Sequence, residues 1–276
     1  LNRWTKSTRR ISAGMRTAVS IYILIPLLLV PMLLLGGAMI KFDDLHKSIS
    51  RKIYVPVAGD IMVTRWAYEA LMVEEFKNNR FEKPFFSFDM EISQNDWYAS
   101  FLVPTLRVNI EESRVSVKDP DYAAFNEDNL RKIRFHINEV SELTGLEPGS
   151  WEQRLNPEDF NDMVAMEAKA YLDTAGLAFR ERSRRVSVSR DSLYKQIMND
   201  LGEEAFLIGR DRDYNESVAN FVLNRLATNR IYDSGNRLVQ KAGPVFMKPG
   251  SKAGRAHFFA PFKQIGKLRI DTLLFN

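Results

Sequence analysis

Between Thr17 and Ile40 the chain carries no charged side chain for 24 residues, and the heart of that run reads "YILIPLLLVPMLLLGGAMIKF", Tyr22 to Phe42. As a helix the run would reach about 36 Å, against a membrane hydrocarbon layer of about 30 Å. A helix inside a soluble protein rarely stays apolar on every face over such a distance. The stretch therefore predicts a transmembrane helix over 17–40. Residues 1–16 hold Arg3, Lys6, Arg9, Arg10 and Arg16 and no acid. Positive flanks are retained in the cytoplasm, so the expectation is a basic cytoplasmic flank over 1–16 and an extracytoplasmic remainder after residue 41.

A cleavable signal peptide is the competing reading, with a basic start, an apolar middle and the small Gly36-Gly37-Ala38. The uncharged run exceeds the usual apolar core of about 7–15 residues, and the chain opens on Leu1, as a fragment does. A retained span is the expectation. Of 39 basic residues, five stand in the first 16, leaving 34 against 35 acidic ones. The net +4 is thus a property of the flank. Nothing in the bulk balance supports a nucleic-acid-binding face, which needs clustered excess Lys and Arg. There is no cysteine, which excludes disulfides and thiolate metal sites.

Helical spacing recurs after the span. From about Asp60, a plausible N-cap, to Asn78, the residues Met62, Trp66, Ala70, Val73 and Phe76 fall on one face beside Val63, Ala67 and Leu71, with Arg65, Glu69 and Glu75 on the other. "RFEKPFFSFDM" then sets Phe81, Phe85, Phe86 and Phe88 in eight residues. Nearness to the span favours an interfacial segment over 41–90. Residues 91–268 read as a helical extracytoplasmic domain. One helix carries Phe101, Leu102, Leu106 and Ile110 and is offset by Pro104; another runs from Leu130 to Leu143 and stops at Gly145. A third is capped by Asn156 in "LNPEDF", a fourth covers about Asp191 to Leu201, and a last one Glu216 to Ala227. Beyond Leu238, glycines and prolines leave room only for extended pieces such as "PVFM" and "HFFAPF". The fold class expected is mainly α: one transmembrane helix, an interfacial segment, and a large helical extracytoplasmic domain with a short extended tail. The apolar ending "TLLFN" reads as the start of a truncated final membrane helix over 269–276.

Most catalytic signatures are absent: no GxxxxGK[ST], no HExxH, no GxSxG and no EF-hand loop. Ser192 and Lys195 match SxxK, the serine-lysine spacing of penicillin-recognising enzymes, but SDN and KTG do not occur. His46, His136 and His257 are far apart in sequence, and "RERSRR", Arg180 to Arg185, reads as a solvated helix face unless its arginines converge.

The span and the helix after it, "ILIPLLLVPMLLLGGAMIKF" and "RWAYEALMVEEF", resemble the ABC-exporter permeases of the type-two class, especially the G subfamily of white/pigment half-transporters. Matching positions are Pro26, Pro31, Gly36 and Gly37 in the span, then Arg65, Trp66, Tyr68, Glu69, Ala70, Leu71, Glu75 and Phe76. "AHFFAPFKQIGKLRIDTLLFN" resembles the lead-in to the last membrane helix in large Bacteroidetes-type proteins of that class. The likeness covers Ile21–Phe88 and Tyr214–Asn276; the helical middle is far longer than the family's external loop. It implies a permease fragment in the cytoplasmic membrane, partnered by the lipid bilayer, an ATPase domain, the remaining membrane helices and a second permease half. No catalytic or metal residue is implied for this chain, since ATP and Mg would sit on the ATPase domain. It also implies membrane-helix breaks at Pro26, Pro31, Gly36 and Gly37, which cost about 3 kcal/mol per proline in a soluble helix but are re-satisfied by neighbouring helices in a bundle. The alternative from the residues alone is a signal-anchored envelope protein with a helical partner-binding domain.

Overall fold

The computed structural model describes residues 18–34, 36–37, 54–225, 230–235 and 237–276, without the side chains of 18–21 and 58. They form two compact units, Leu1–Leu71 with Asn276, and Met72–Phe275. The expected flank over 1–16 and the connector 41–53 lie outside the described residues.

In the first unit, α1 spans Ala18–Leu34, 17 residues. It runs helical through Pro26 and Pro31, so the prolines do not break it, although each removes one backbone donor. The chain turns at Gly36 and Gly37, and Gly37 sits at φ 77°, a conformation that stops helices. This corrects the 24-residue span expected over 17–40. The described helix reaches about 26 Å; residues 17, 35 and 38–40 lie outside the described residues. Among the described residues, no helix is long and apolar enough to cross a membrane. A short helix, α2, covers Val57–Asp60, and α3 covers Val63–Lys77. Asp60 therefore ends α2 and does not cap α3.

The second unit is built on a long antiparallel pair. Helix α4, Phe86–Trp97, passes through a π-turn at Tyr98–Leu102 into α5, Val103–Ser116. The wider turn sits where the ring of Pro104 would otherwise meet the carbonyl of Ser100 in a regular helix. Its partner α7 covers Asp162–Leu201, 40 residues without a break. Asp89 meets Arg190, Asp96 meets Ser183, Tyr98 stacks on Phe179, Arg107 meets Asp173 and Lys169 meets Glu111. Each step forward along α4 and α5 is a step back along α7. The two helices expected from residues 156 and 191 are thus one, because no Gly or Pro interrupts the region 177–201. Its cap is Asn161, whose side chain accepts from the amides of Met163 and Val164, while Asn156 closes a separate turn by accepting from Glu158 and Asp159.

Helix α6, Ala123–Thr144, ends at Gly145 in the left-handed region and packs on α5 and α7. The core they share includes Leu102, Leu106, Ile110, Ile133, Ile137 and Leu172, all fully buried. Two shorter helices follow, α8 at Glu203–Asp213 and α9 at Glu216–Val222. Two antiparallel hairpins complete the unit: β1, Ile231–Asp233, with β2, Leu238–Gln240; and β3, Phe262–Ile265, with β4, Leu268–Asp271. Residues 269–271 are therefore strand and only Thr272–Phe275 is helical, which corrects a helix expected from 269. "PVFM" is not extended either: Pro244–Phe246 forms a single 3-10 turn.

Candidate functional site

Helix α3 buries Ala70, Val73 and Phe76 of its expected apolar face, but it departs from the expected polarity at four positions. Arg65 is 2% exposed and Glu69 0%, although spacing places both on the polar face, whereas Val63 and Leu71 from the apolar face are exposed. The reason is local pairing. Arg65 Nη2 lies 3.4 Å from Glu69 Oε2 and Nη1 3.7 Å from Asp60 Oδ1. The guanidinium lies 3.9 Å from the centre of the Trp66 ring, and Trp66 Nε1 donates to the Asp60 carbonyl at 2.8 Å. Asn276 Nδ2 donates to Glu69 Oε2 at 3.0 Å. Burial pulls the Arg65 pKa down, and Glu69 and Asp60 oppose it. Tyr68 is half-buried, which raises its phenol pKa. Glu75 is exposed. Arg65, Trp66 and Glu69 are thus brought together, and Glu75 faces solvent.

Phe76 leads elsewhere, into the second unit. There a cleft of about 520 Å³ is lined by Phe76 and Phe81, the α4 residues Asp89, Asp96 and Trp97, Arg190 of α7, Tyr214, Arg225 and Phe246. Its aromatic walls meet edge to face: Phe76 lies 6.4 Å from Tyr214 and 5.8 Å from Phe246, and Phe81 lies 6.0 Å from Tyr214, between ring centres. The tail closes one side. Gly243 takes φ 63°, and a Cβ there would come within 3.2 Å of Ser93 Oγ, so glycine permits the close approach to α4. Gln94 Nε2 then holds the Phe246 carbonyl at 2.7 Å.

Charge in the cleft is arranged around Glu82, which is 6% exposed. Its pKa is pushed up to about 7, first by burial, then by the charge and hydrogen bond of Asp89; Arg190 and Arg225 pull it back. Asp89 in turn accepts from Arg190 Nε at 2.6 Å. Two carboxyls this close do not both ionise cheaply, so Glu82 keeps its proton to a higher pH than an ordinary carboxyl. An acid–carboxylate pair walled by aromatic rings can bind a polar group or exchange a proton. No family model matches this chain, and no curated protein or solved structure matches it either.

The cleft escapes sequence reading, which draws only the phenylalanines from "RFEKPFFSFDM". The missed signal is Glu82 and Asp89 set inside that aromatic run. Other candidates do not converge. Ser192 Oγ donates to the Val188 carbonyl at 2.8 Å, and both Ser192 and Lys195 are exposed. Of the basic cluster, Arg182 pairs with Glu91 and Arg184 with Glu181, while Arg180 and Arg185 are exposed. His136 accepts from the Leu238 amide and bonds Glu139, His257 bonds the Pro244 carbonyl, and His46 lies outside the described residues.

Proposed function

We propose that this chain is the permease part of an ATP-driven ABC exporter of the type-two class, with an enlarged extracytoplasmic helical domain that gates substrate or docks an envelope partner. The observation that carries the membrane reading is the exposure of α1. Tyr22 is 76% and Leu27 65% exposed, and Ile23, Ile25, Leu28, Leu29 and Val30 are exposed beside them. Leaving one such side chain in water forgoes roughly 1.5–3 kcal/mol, so a helix apolar all round favours lipid or neighbouring apolar helices. Its 17 described residues are too few to cross an unperturbed membrane, so the proposal needs a locally thinned bilayer or helix partners around it. The exit of α1 is also braced: Thr64 Oγ1, in the first turn of α3, donates to the Met32 carbonyl at 2.8 Å. Pro31 and the turn at Gly36 leave late carbonyls of α1 without helical donors, and a hydroxyl from the next helix meets one of them. Val57, Ile61, Val63 and Leu71 are exposed around the buried Arg65–Glu69 pair, the arrangement an interfacial segment calls for. In this reading ATP and Mg act on an ATPase domain outside these 276 residues, and two permease halves work together.

The test is a topology map in the native membrane. The chain has no cysteine, so Ser7→Cys and Ser192→Cys each introduce a single thiol, to be probed with a membrane-impermeant reagent. Labelling at 192 but not at 7, in material that resists carbonate extraction, supports the reading. Equal labelling at both positions, or release of a shortened product, overturns it.

A further inference from the structure

The walls of the cleft are aromatic, its size of about 520 Å³ falls among small-molecule sites of about 300–1,000 Å³, and its charges are unequally committed. Asp89 is held by Arg190 through two contacts, Asp96 accepts from Ser183 Oγ at 2.6 Å, and Glu82 is hydrogen-bonded to Asp89. The carboxyls are therefore satisfied from within. The cations at the rim are not. Arg225 makes only long contacts, 3.4 Å to Tyr214 Oη, 3.4 Å to Asn220 Oδ1 and 3.8 Å to Glu216. Arg230 is exposed, and its side chain has no hydrogen bond or ion pair among the described residues.

We propose that the cleft binds a small amphipathic anion, an aromatic or aliphatic body carrying one carboxylate, sulfonate or phosphate, whose charged group is seated by Arg225 and Arg230. The body of the ligand packs between Phe76, Phe81 and Tyr214, where edge-to-face contacts reward a flat ring. The guanidinium groups offer the planar forks that match a carboxylate or phosphate. Glu82 adds no repulsion so long as it keeps its proton. A bound anion strengthens that hold, because a further negative charge nearby favours the neutral acid. Binding is then accompanied by proton uptake near neutral pH. A cation would find Asp89 and Asp96 already paired and two arginines at the entrance. The inference does not rest on the exporter reading: every residue it uses lies between 76 and 246, and the topology map can fail while it stands.

The experiment is calorimetric titration of the full 276-residue chain in zwitterionic lipid nanodiscs, with empty nanodiscs subtracted. The probes are 2-naphthoate, the neutral 2-naphthamide and the cationic 2-naphthylmethylammonium. Naphthoate is expected to bind about tenfold or more tightly than the other two, the difference a charged hydrogen bond carries, with proton uptake at pH 7 read from buffers of different ionisation enthalpy. Arg225→Ala with Arg230→Ala removes the preference while the circular dichroism spectrum is kept, and Arg225→Lys retains part of it. Phe81→Ala weakens all three probes alike. Equal binding of acid and amide, tighter binding of the ammonium, proton release on naphthoate binding, or no binding of naphthoate at millimolar concentration would each overturn the proposal.

Discussion

The two units of this chain differ in how far their apolar side chains are exposed. In the unit of residues 72–275, burial mostly follows apolarity: Leu106, Ile137 and Leu172 are fully buried, with Glu82, Lys132 and Lys263 as buried exceptions, and the Arg107–Asp173 and Lys169–Glu111 pairs lie half-exposed at the edges of the helix pair. In the unit of residues 1–71 Arg65 and Glu69 are buried beside Val55 and Ala70, while Leu27, Ile61 and Leu71 are exposed. The first pattern is what water selects. The second is what an apolar surrounding selects, because a charged pair must then hide inside and apolar side chains have no reason to. On the exporter proposal the two units face different solvents, and the contrast can be attacked variant by variant.

The largest effect is expected at the buried pair. Arg65→Met leaves Glu69 charged and enclosed, a cost of about 3–5 kcal/mol, read as accelerated amide exchange over residues 63–71. The double variant Arg65→Met with Glu69→Leu should recover most of it, since replacing a whole buried pair by apolar groups is often neutral. If the double variant is as damaged as the single one, the pair is not governed by its apolar surroundings. Next comes the ordinary core. Leu106→Ala should cost about 2–5 kcal/mol in urea unfolding of the helical unit, whereas Leu27→Ala, on an exposed site of α1, should leave that transition where it was. A shift with Leu27→Ala would erase the distinction between the two units.

Glu82 gives a smaller effect with a definite sign. Its pKa of about 7 in the folded chain lies above the ordinary 4.5, so between those values the folded state holds a proton that the unfolded state has released. Stability contributed by Glu82 is fully present below pH 4.5, falls as pH rises through about 7, and levels off above. Glu82→Gln should flatten that slope and stabilise the helical unit at pH 8 by about 1–3 kcal/mol, checked by thermal unfolding at pH 5 and pH 8. A slope that persists in the variant points to another group. The smallest effect concerns where α7 begins. Asn161→Ala should cost about 1 kcal/mol, and Asn156→Ala less, because only Asn161 caps the first amides of the helix.

Much of the helical unit is legible in the sequence. Helix α6 announces itself through Leu130, Ile133, Ile137 and Val140 and its Gly145 stop, since a 3.6-residue period and a glycine cap are local signals. Boundaries are less so: Asn156 and Asn161 each have acidic residues within the next three positions, and only tertiary packing selects the second. The polarity of α3 is hidden for a deeper reason. Helical spacing shows which residues share a face, but not which face is buried, and Arg65 goes inside because Asp60 and Glu69 are there to receive it. The cleft is out of reach for the same reason. Its members come from residues 76 to 246, and nothing near Glu82 in sequence shows that Arg190 and Arg225 will stand beside it.

What the sequence determined by itself is the set of properties that depend on near neighbours along the chain: the all-round apolar character of α1, the glycine turn that ends it, the periodicity of the long helices and the lack of cysteine. What only the tertiary structure decided is which side of α3 is buried, Arg65 and Glu69 included, and which distant charges meet, Arg190 and Arg225 with Glu82 and Asp89. The physical reason is that apolarity and backbone preference are carried by each residue and its turn of helix. The protonation of Glu82 and the burial of Arg65 are set by how much water is removed and by which opposite charge replaces it, and both are fixed only when distant segments pack.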